Sequence, residues 1–259
     1  MALQVMLYKI SVYGISDVGL VRQNNEDFWN HLLEDQFFVL ADGMGGHQAG
    51  EVASHEAVNQ LCMRFKEKIS LLNKSLPVCT QHIIETIQEV NYAIYRMGRE
   101  NDKLKGMGTT LCCVFLHGDG IVFGHVGDSR IYRFRNNHLE QITQDHSLLR
   151  ELIDLGQLNE QQANDFAYKN IITKAIGTEP FVEPTVSSDS IHAGDIIVMC
   201  TDGLSDLLTR KEMQRIIAEN PEEDIAKKLV KAAKCKGGYD NITVVIIKIQ
   251  DKYEPTDLS

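Results

Sequence analysis

Residues 36–46 read Gln36-Phe37-Phe38-Val39-Leu40-Ala41-Asp42-Gly43-Met44-Gly45-Gly46, an apolar run that stops on an acid and a glycine. A short run of this kind, bounded by turn-forming residues, predicts a strand over Gln36–Ala41. The same pattern recurs downstream. Val122-Phe123-Gly124-His125-Val126-Gly127 ends in Asp128-Ser129, and Ile196-Ile197-Val198-Met199-Cys200-Thr201 ends in Asp202-Gly203. Tyr8–Ile15, Thr109–Leu116, Ile121–Val126, Arg130–Arg135, Asp195–Thr201 and Ile242–Ile249 also read as strands, and Asp240-Asn241 precedes the last of them. Glu26-Asp27 reads as part of a polar turn after the first strand region.

Helical spacing fills the gaps between these runs. Gly50–Leu72 sets Val52, Ala53, Ala57, Leu61, Met63 and Phe65 toward one side. Val78–Asn101 does the same with Ile83, Ile84, Ile87, Val90 and Ile94, and Pro77 separates the two. Thr209–Ala218 and Pro221–Lys234 form a second pair, the latter opened by proline in its first turn. Strand runs joined by short turns, with helices gathered in pairs, predict an α+β fold of antiparallel sheets covered by helices. Residues 145–181 interrupt the rhythm as a polar, weakly helical insertion over a surface. With no repeat or linker, residues 1–250 read as a single domain, followed by a polar tail over 251–259.

The totals exclude several classes of function. A chain of 259 residues with 43% hydrophobic and 24% charged residues can bury a full core. Its net charge of −10 repels polyanions, so neither nucleic acid nor an anionic membrane is an expected partner. No run reaches the ~18 apolar residues of a spanning helix, and the start has no signal-peptide pattern. Six cysteines without a C-x-x-C pair, mostly in apolar surroundings, read as free thiols of a reducing compartment. A cytoplasmic monomer is the expectation.

One acid at a strand end is an ordinary turn residue. Five acidic positions on rigid elements outweigh that reading. Brought together, uncompensated carboxylates repel, and they either take up protons or need cations. Hard oxygen ligands suit Mg²⁺ or Mn²⁺, and two such ions can activate a water and hold a phosphoryl oxygen. Arg22 lies close to Glu26-Asp27 in sequence, and its planar fork matches two phosphate oxygens. Other chemistries fail on spacing. Gly45-Gly46-His47-Gln48-Ala49-Gly50 runs into Glu51 where a nucleotide P-loop needs lysine. In His55-Glu56-Ala57-Val58-Asn59, asparagine replaces the second histidine of a zinc-protease helix. No cysteine has an arginine six residues on, and no Asp-x-Asp pair offers an aspartyl nucleophile. Activated water is what remains.

The chain resembles the metal-dependent protein phosphatase family, also called PP2C or PPM, in its compact bacterial type. The matching pieces keep the family's order: Ser16-Asp17-Val18-Gly19 with Arg22 and Asn25-Glu26-Asp27, Ala41-Asp42-Gly43-Met44-Gly45-Gly46, Met107-Gly108-Thr109-Thr110, Val126-Gly127-Asp128-Ser129-Arg130, Thr201-Asp202-Gly203-Leu204 with Asp206, and Asp240-Asn241-Ile242-Thr243. The resemblance spans about residues 8 to 249. It implies a four-layer α/β/β/α sandwich, two Mn²⁺ or Mg²⁺ ions between the sheets and a weaker third, and hydrolysis of phosphoserine or phosphothreonine in proteins.

By position, the resemblance makes Asp42 a bridge between two ions and Gly43 a carbonyl ligand. Asp202 and Asp240 complete one metal site, and Asp128 serves the third ion. Glu26 and Asp27 act through the second metal or its waters, with Asp27 counted as catalytic beside Arg22, which holds the phosphate. The insertion at 145–181 becomes a flap. The implied setting is opposition to a serine/threonine protein kinase. The alternatives are a phosphatase of a partner-switching regulator and a non-catalytic binder of phosphoproteins. Many relatives have histidine where this chain has Met44, and methionine cannot protonate a leaving alkoxide. A water is the expected proton donor, with His47 as a lesser candidate.

Overall fold

The computed structural model describes residues 8–45, 49–72, 75–118, 120–159, 162, 166, 168 and 170–252. His47 and the tail beyond residue 252 lie outside the described residues. Two sheets form the centre of the molecule. The first runs, edge to edge, β1 (Tyr8–Asp17), β11 (Ile242–Lys252), β10 (Ile196–Cys200), β7 (Arg130–Arg135) and β8 (His138–Gln141). The second runs β2 (Asp27–Leu32), β3 (Phe37–Met44), β5 (Leu111–His117), β6 (Gly120–Val126) and β9 (Thr185–Asp189), with β4 (Gly108–Thr109) paired to β3. Every pairing is antiparallel.

The central strands are apolar on both faces because both faces are covered. In β3, Phe37, Val39 and Ala41 pack toward α1 (Ala49–Leu72) and α2 (Leu76–Glu100), while Phe38 and Leu40 pack toward the other sheet. In β10, Ile196, Val198 and Cys200 face a different helix pair, and Ile197 and Met199 face the inter-sheet core. Alternation of side chains along a strand therefore sorts one apolar run into two cores. Four layers result, helices on sheet on sheet on helices, as expected.

The helices of the first sheet are α5 (Arg210–Glu219) and α6 (Glu222–Cys235). Thr209 starts α5 with a capping box, accepting from the Glu212 amide while the Glu212 side chain accepts from the Thr209 amide. A one-turn helix, α4 (Asp202–Ser205), follows β10, and α3 (Leu148–Asp154) lies in the insertion, capped by the Ser147 hydroxyl. All six cysteines are free thiols. No described helix is long and apolar enough to cross a membrane.

Three strands differ from the sequence-based expectation. β2 opens at Asp27, where a polar turn was expected, and β8 and β9 carry no strand-like run. All three are sheet edges. An edge strand has one pairing partner and tolerates polar residues, so its sequence lacks the apolar run that reveals a central strand. β9, Thr185-Val186-Ser187-Ser188-Asp189, is exposed along nearly its whole length.

Topology sends the acids to one end of the sandwich. β3 reaches Asp42 near its C-terminal end, where Asp27 pairs with it across β2. β10 runs out into Asp202, while Asp240 lies just before β11, antiparallel to β10. β6 runs out toward Asp128 beside the start of β5, with Leu111 opposite Val126.

Candidate active site

The glycine of each central Asp-Gly pair is fixed by close backbone approach. A Cβ on Gly43 would lie 2.1 Å from the Gly50 carbonyl oxygen, at the start of α1. A Cβ on Gly203 would lie 1.9 Å from the Asn241 carbonyl oxygen. Gly43 also donates its amide to the Glu26 carbonyl at 3.0 Å. These approaches draw the segments bearing Glu26, Asp42, Asp202 and Asp240 together.

Polar side chains then set each segment. Asn241, 5% exposed, accepts from the Glu26 amide at 2.8 Å and donates to the carbonyls of Val18 at 3.1 Å and Asn24 at 2.9 Å. One carboxamide thereby anchors the loop that carries Arg22. The Asp42 amide donates to Thr110 Oγ1 at 2.9 Å, and that hydroxyl bonds Ser129 Oγ at 2.7 Å. Thr201 and Thr243 both donate to Asp27 Oδ2, at 2.9 and 2.8 Å, joining a carboxylate of the second sheet to hydroxyls of the first.

The result is a cleft of about 380 Å³ whose lining includes Arg22, Glu26, Asp42, Gly43, Asp128, Asp202 and Asp240. Asn170 and Ile172 of the insertion also line it, so that segment does border the site. Asp27 differs from the other singled-out residues. It is 4% exposed, sits opposite Asp42 in the pairing of β2 with β3, and is not among the residues that line the cleft. Arg22 Nη2 donates to Asp240 Oδ2 at 2.7 Å. Met44 lines the cleft and offers no proton.

The carboxylates are under electrostatic load. Burial, joined by the charges of Asp27, Asp202, Asp128 and Asp240, holds the Asp42 carboxyl well above the usual range. Burial raises Asp27 to about 7 against the two threonine hydrogen bonds, with Asp202 and Asp240 adding to the rise. Asp128 is raised to about 7 by burial and then by Asp202 and Asp145, and Asp202 to about 6 by burial, Asp206 and Asp240. Asp42 and Asp202 lie close enough that the charge of Asp202 adds to the rise at Asp42. Asp27 Oδ1 is buried with no hydrogen-bond partner.

This arrangement fits hard divalent cations. Among the described residues no three acidic, histidine or cysteine side chains form a finished ligand cage. The donor set is nevertheless all oxygen, half-buried, mutually repelling and short of compensating charge, which is the condition a divalent cation relieves. Burial pushes the Cys62, Cys113 and Cys200 thiols up to about 12, which makes these three poor nucleophiles.

The raised carboxyls make stability depend on pH. A folded-state pKa above the unfolded value means the folded chain binds more protons, so stability falls as pH rises between the two values. For Asp27, Asp128 and Asp202 that window runs from 3.8 to about 6–7. The metal-free chain is therefore expected to melt at a lower temperature at pH 7.5 than at pH 5.5. Mn²⁺ at about a hundredfold above its Kd is expected to restore roughly 5–10 °C at pH 7.5. It is expected to restore much less at pH 5.5, where protons compete. A melting temperature indifferent to millimolar Mn²⁺ at pH 7.5 would argue against a clustered site.

Comparisons with known proteins agree on one family. A family model described as protein phosphatase 2C matches residues 17–232. A putative protein phosphatase 2C-type protein of Streptococcus pyogenes is 36% identical over 236 residues, covering 90% of this chain and 94% of that one. Among solved structures, the serine/threonine phosphatase of S. agalactiae is 35% identical with a TM-score of 0.84, covering 93% of this chain and 100% of that one. The catalytic domain of the serine threonine protein phosphatase PstP, in complex with two manganese ions, is 31% identical with a TM-score of 0.82, covering 96% and 100%.

Proposed function

Because the chain belongs to the protein phosphatase 2C family, and is a metal-dependent serine/threonine protein phosphatase, we propose that the cleft bounded by Arg22, Asp42, Asp128, Asp202 and Asp240 is where phosphoserine and phosphothreonine are hydrolysed. The convergence of these acids with one arginine fork on a single cleft carries this assignment. Asp42, the Gly43 carbonyl, Asp202 and Asp240 would hold two ions, Asp128 would help hold a weaker third, and Glu26 would border them. Bound Mn²⁺ or Mg²⁺ would supply a water of lowered pKa and neutralise phosphoryl oxygens.

The chain's own groups supply the rest. Arg22 binds two phosphate oxygens through its fork and orients the ester for in-line attack. Asp27 keeps Asp42 in place through the paired strands, and its threonine hydrogen bonds fix its own carboxylate. Asn241 holds the loop of Arg22 at the height of the acids. A water protonates the leaving alkoxide, since Met44 cannot. A binding-only role is not favoured, because Arg22, Asp42, Asp202 and Asp240 are all retained and brought together.

The partners are phosphorylated proteins, with a cognate serine/threonine kinase as the opposing enzyme and a cytoplasmic monomer as the working form. Residues 1–250 act as one phosphatase domain with 145–181 as its flap. The acidic charge and the single fork predict turnover of phosphothreonine and phosphoserine peptides and no cleavage of plasmid DNA. DNA cleavage with Mn²⁺ at a rate matching peptide turnover would overturn the assignment.

A further inference from the structure

Where α6 crosses the end of β1, a second groove of about 510 Å³ lies beside the catalytic cleft. Ile15, Leu20 and Val230 give it an apolar floor, and Lys227, Lys231 and Lys234 give it a basic rim. The lysines fall at i, i+4 and i+7 on α6 and so share one face. Lys234 pairs with Asp17 at 2.9 Å. Among the described residues Lys227 and Lys231 are exposed and have no ion-pair partner. Lysines late in a helix complement its dipole, but that does not explain an open apolar floor beneath them. In a chain of net charge −10 this hollow inverts the prevailing sign.

Two paired loop segments run from the groove to the cleft. The Leu20 amide donates to the Gly238 carbonyl at 2.8 Å. Two residues further along each of these loop segments, Arg22 and Asp240 form the ion pair at the cleft. Between them, Val21 is 61% and Tyr239 63% exposed, an apolar ridge joining the two hollows. A chain with its phosphorylated residue at Arg22 would pass over this ridge into the groove.

Resting on the reading of the cleft as a phosphoprotein site, we propose that this groove docks the substrate protein itself. It takes an extended segment flanking the phosphorylated residue, with apolar side chains on Ile15, Leu20 and Val230 and acidic ones against Lys227 and Lys231. Charges at such a rim raise capture of the substrate more than the rate of the bound complex. The effect therefore falls on KM rather than kcat.

The test sets the full chain with Mn²⁺ against its Lys227→Glu/Lys231→Glu variant, on three kinds of substrate. These are p-nitrophenyl phosphate, a short phosphothreonine peptide with neutral flanks, and phosphothreonine peptides with an acidic, leucine-containing extension on either side. An extension of about six residues spans roughly 20 Å. The wild type is expected to prefer one extended peptide by about tenfold in kcat/KM, a preference that shrinks in high salt. The variant is expected to lose that preference while turning over p-nitrophenyl phosphate and the short peptide within about twofold of wild type. Equal turnover of all peptides by the wild type, or a preference kept by the variant, would overturn the groove as a docking site. No turnover of any substrate by the wild type would instead overturn the reading of the cleft.

Discussion

Asp202→Asn is expected to remove phosphatase activity while leaving the fold standing. The substitution keeps size and shape and deletes one negative charge. Asp202 lies at the start of α4 and lines the cleft with Asp42, whose carboxyl its charge helps to raise. An asparagine there keeps the polar contact surface without the charge that loads Asp42. The metal-free variant is therefore expected to melt at or above the wild-type temperature at pH 7.5, because a buried repulsion is gone. Its gain on adding Mn²⁺ is expected to shrink, and kcat to fall by more than the roughly 10²–10³-fold that loss of one charge-stabilising donor costs. Melting curves and phosphopeptide turnover on the same preparation separate the two effects. Turnover within about tenfold of wild type would mean that the cations sit elsewhere.

Arg22→Ala is expected to lower kcat/KM for a phosphothreonine peptide by about 10²-fold, with little change in melting temperature. The side chain is 54% exposed, and its ion pair with Asp240 is a surface pair of small worth to the fold. Arg22→Lys keeps the charge and loses the fork, so an intermediate loss is expected. If lysine served as well as arginine, simple charge attraction would suffice, and oriented binding of two phosphate oxygens would not be its role. An alanine variant with unchanged kcat/KM would remove Arg22 from the site.

These two residues differ in how visible they are in sequence. Asp202 closes an apolar run, and the run is legible because β10 is buried on both faces. The same holds for Asp42 after Phe37–Ala41. Arg22 is an exposed arginine in a loop, and only its nearness to Glu26 and the family resemblance single it out. Its placement depends on Asn241, some two hundred residues along the chain, and no local pattern announces that contact.

Asp27 shows the limit most clearly. Its neighbours Phe28-Trp29-Asn30-His31-Leu32 mix polar and apolar residues, as an edge strand permits, so β2 and its pairing with Asp42 are hidden. Thr201 and Thr243 were visible as motif residues, but their role as donors to a buried carboxylate appears only when the two sheets are packed. The lysine-rimmed groove was equally hidden, since α6 read alone is an ordinary amphipathic helix with charge on its outer face.

The central claim is that a cluster of half-buried carboxylates holds cations for phosphate-ester hydrolysis. Release of inorganic phosphate from a phosphothreonine peptide, measured with Mn²⁺ and again after excess EDTA, tests it most directly. The structure predicts turnover with Mn²⁺ that falls to background with EDTA and returns when Mn²⁺ is restored. Turnover indifferent to EDTA, or no turnover from a folded chain whose melting temperature Mn²⁺ raises, would contradict it.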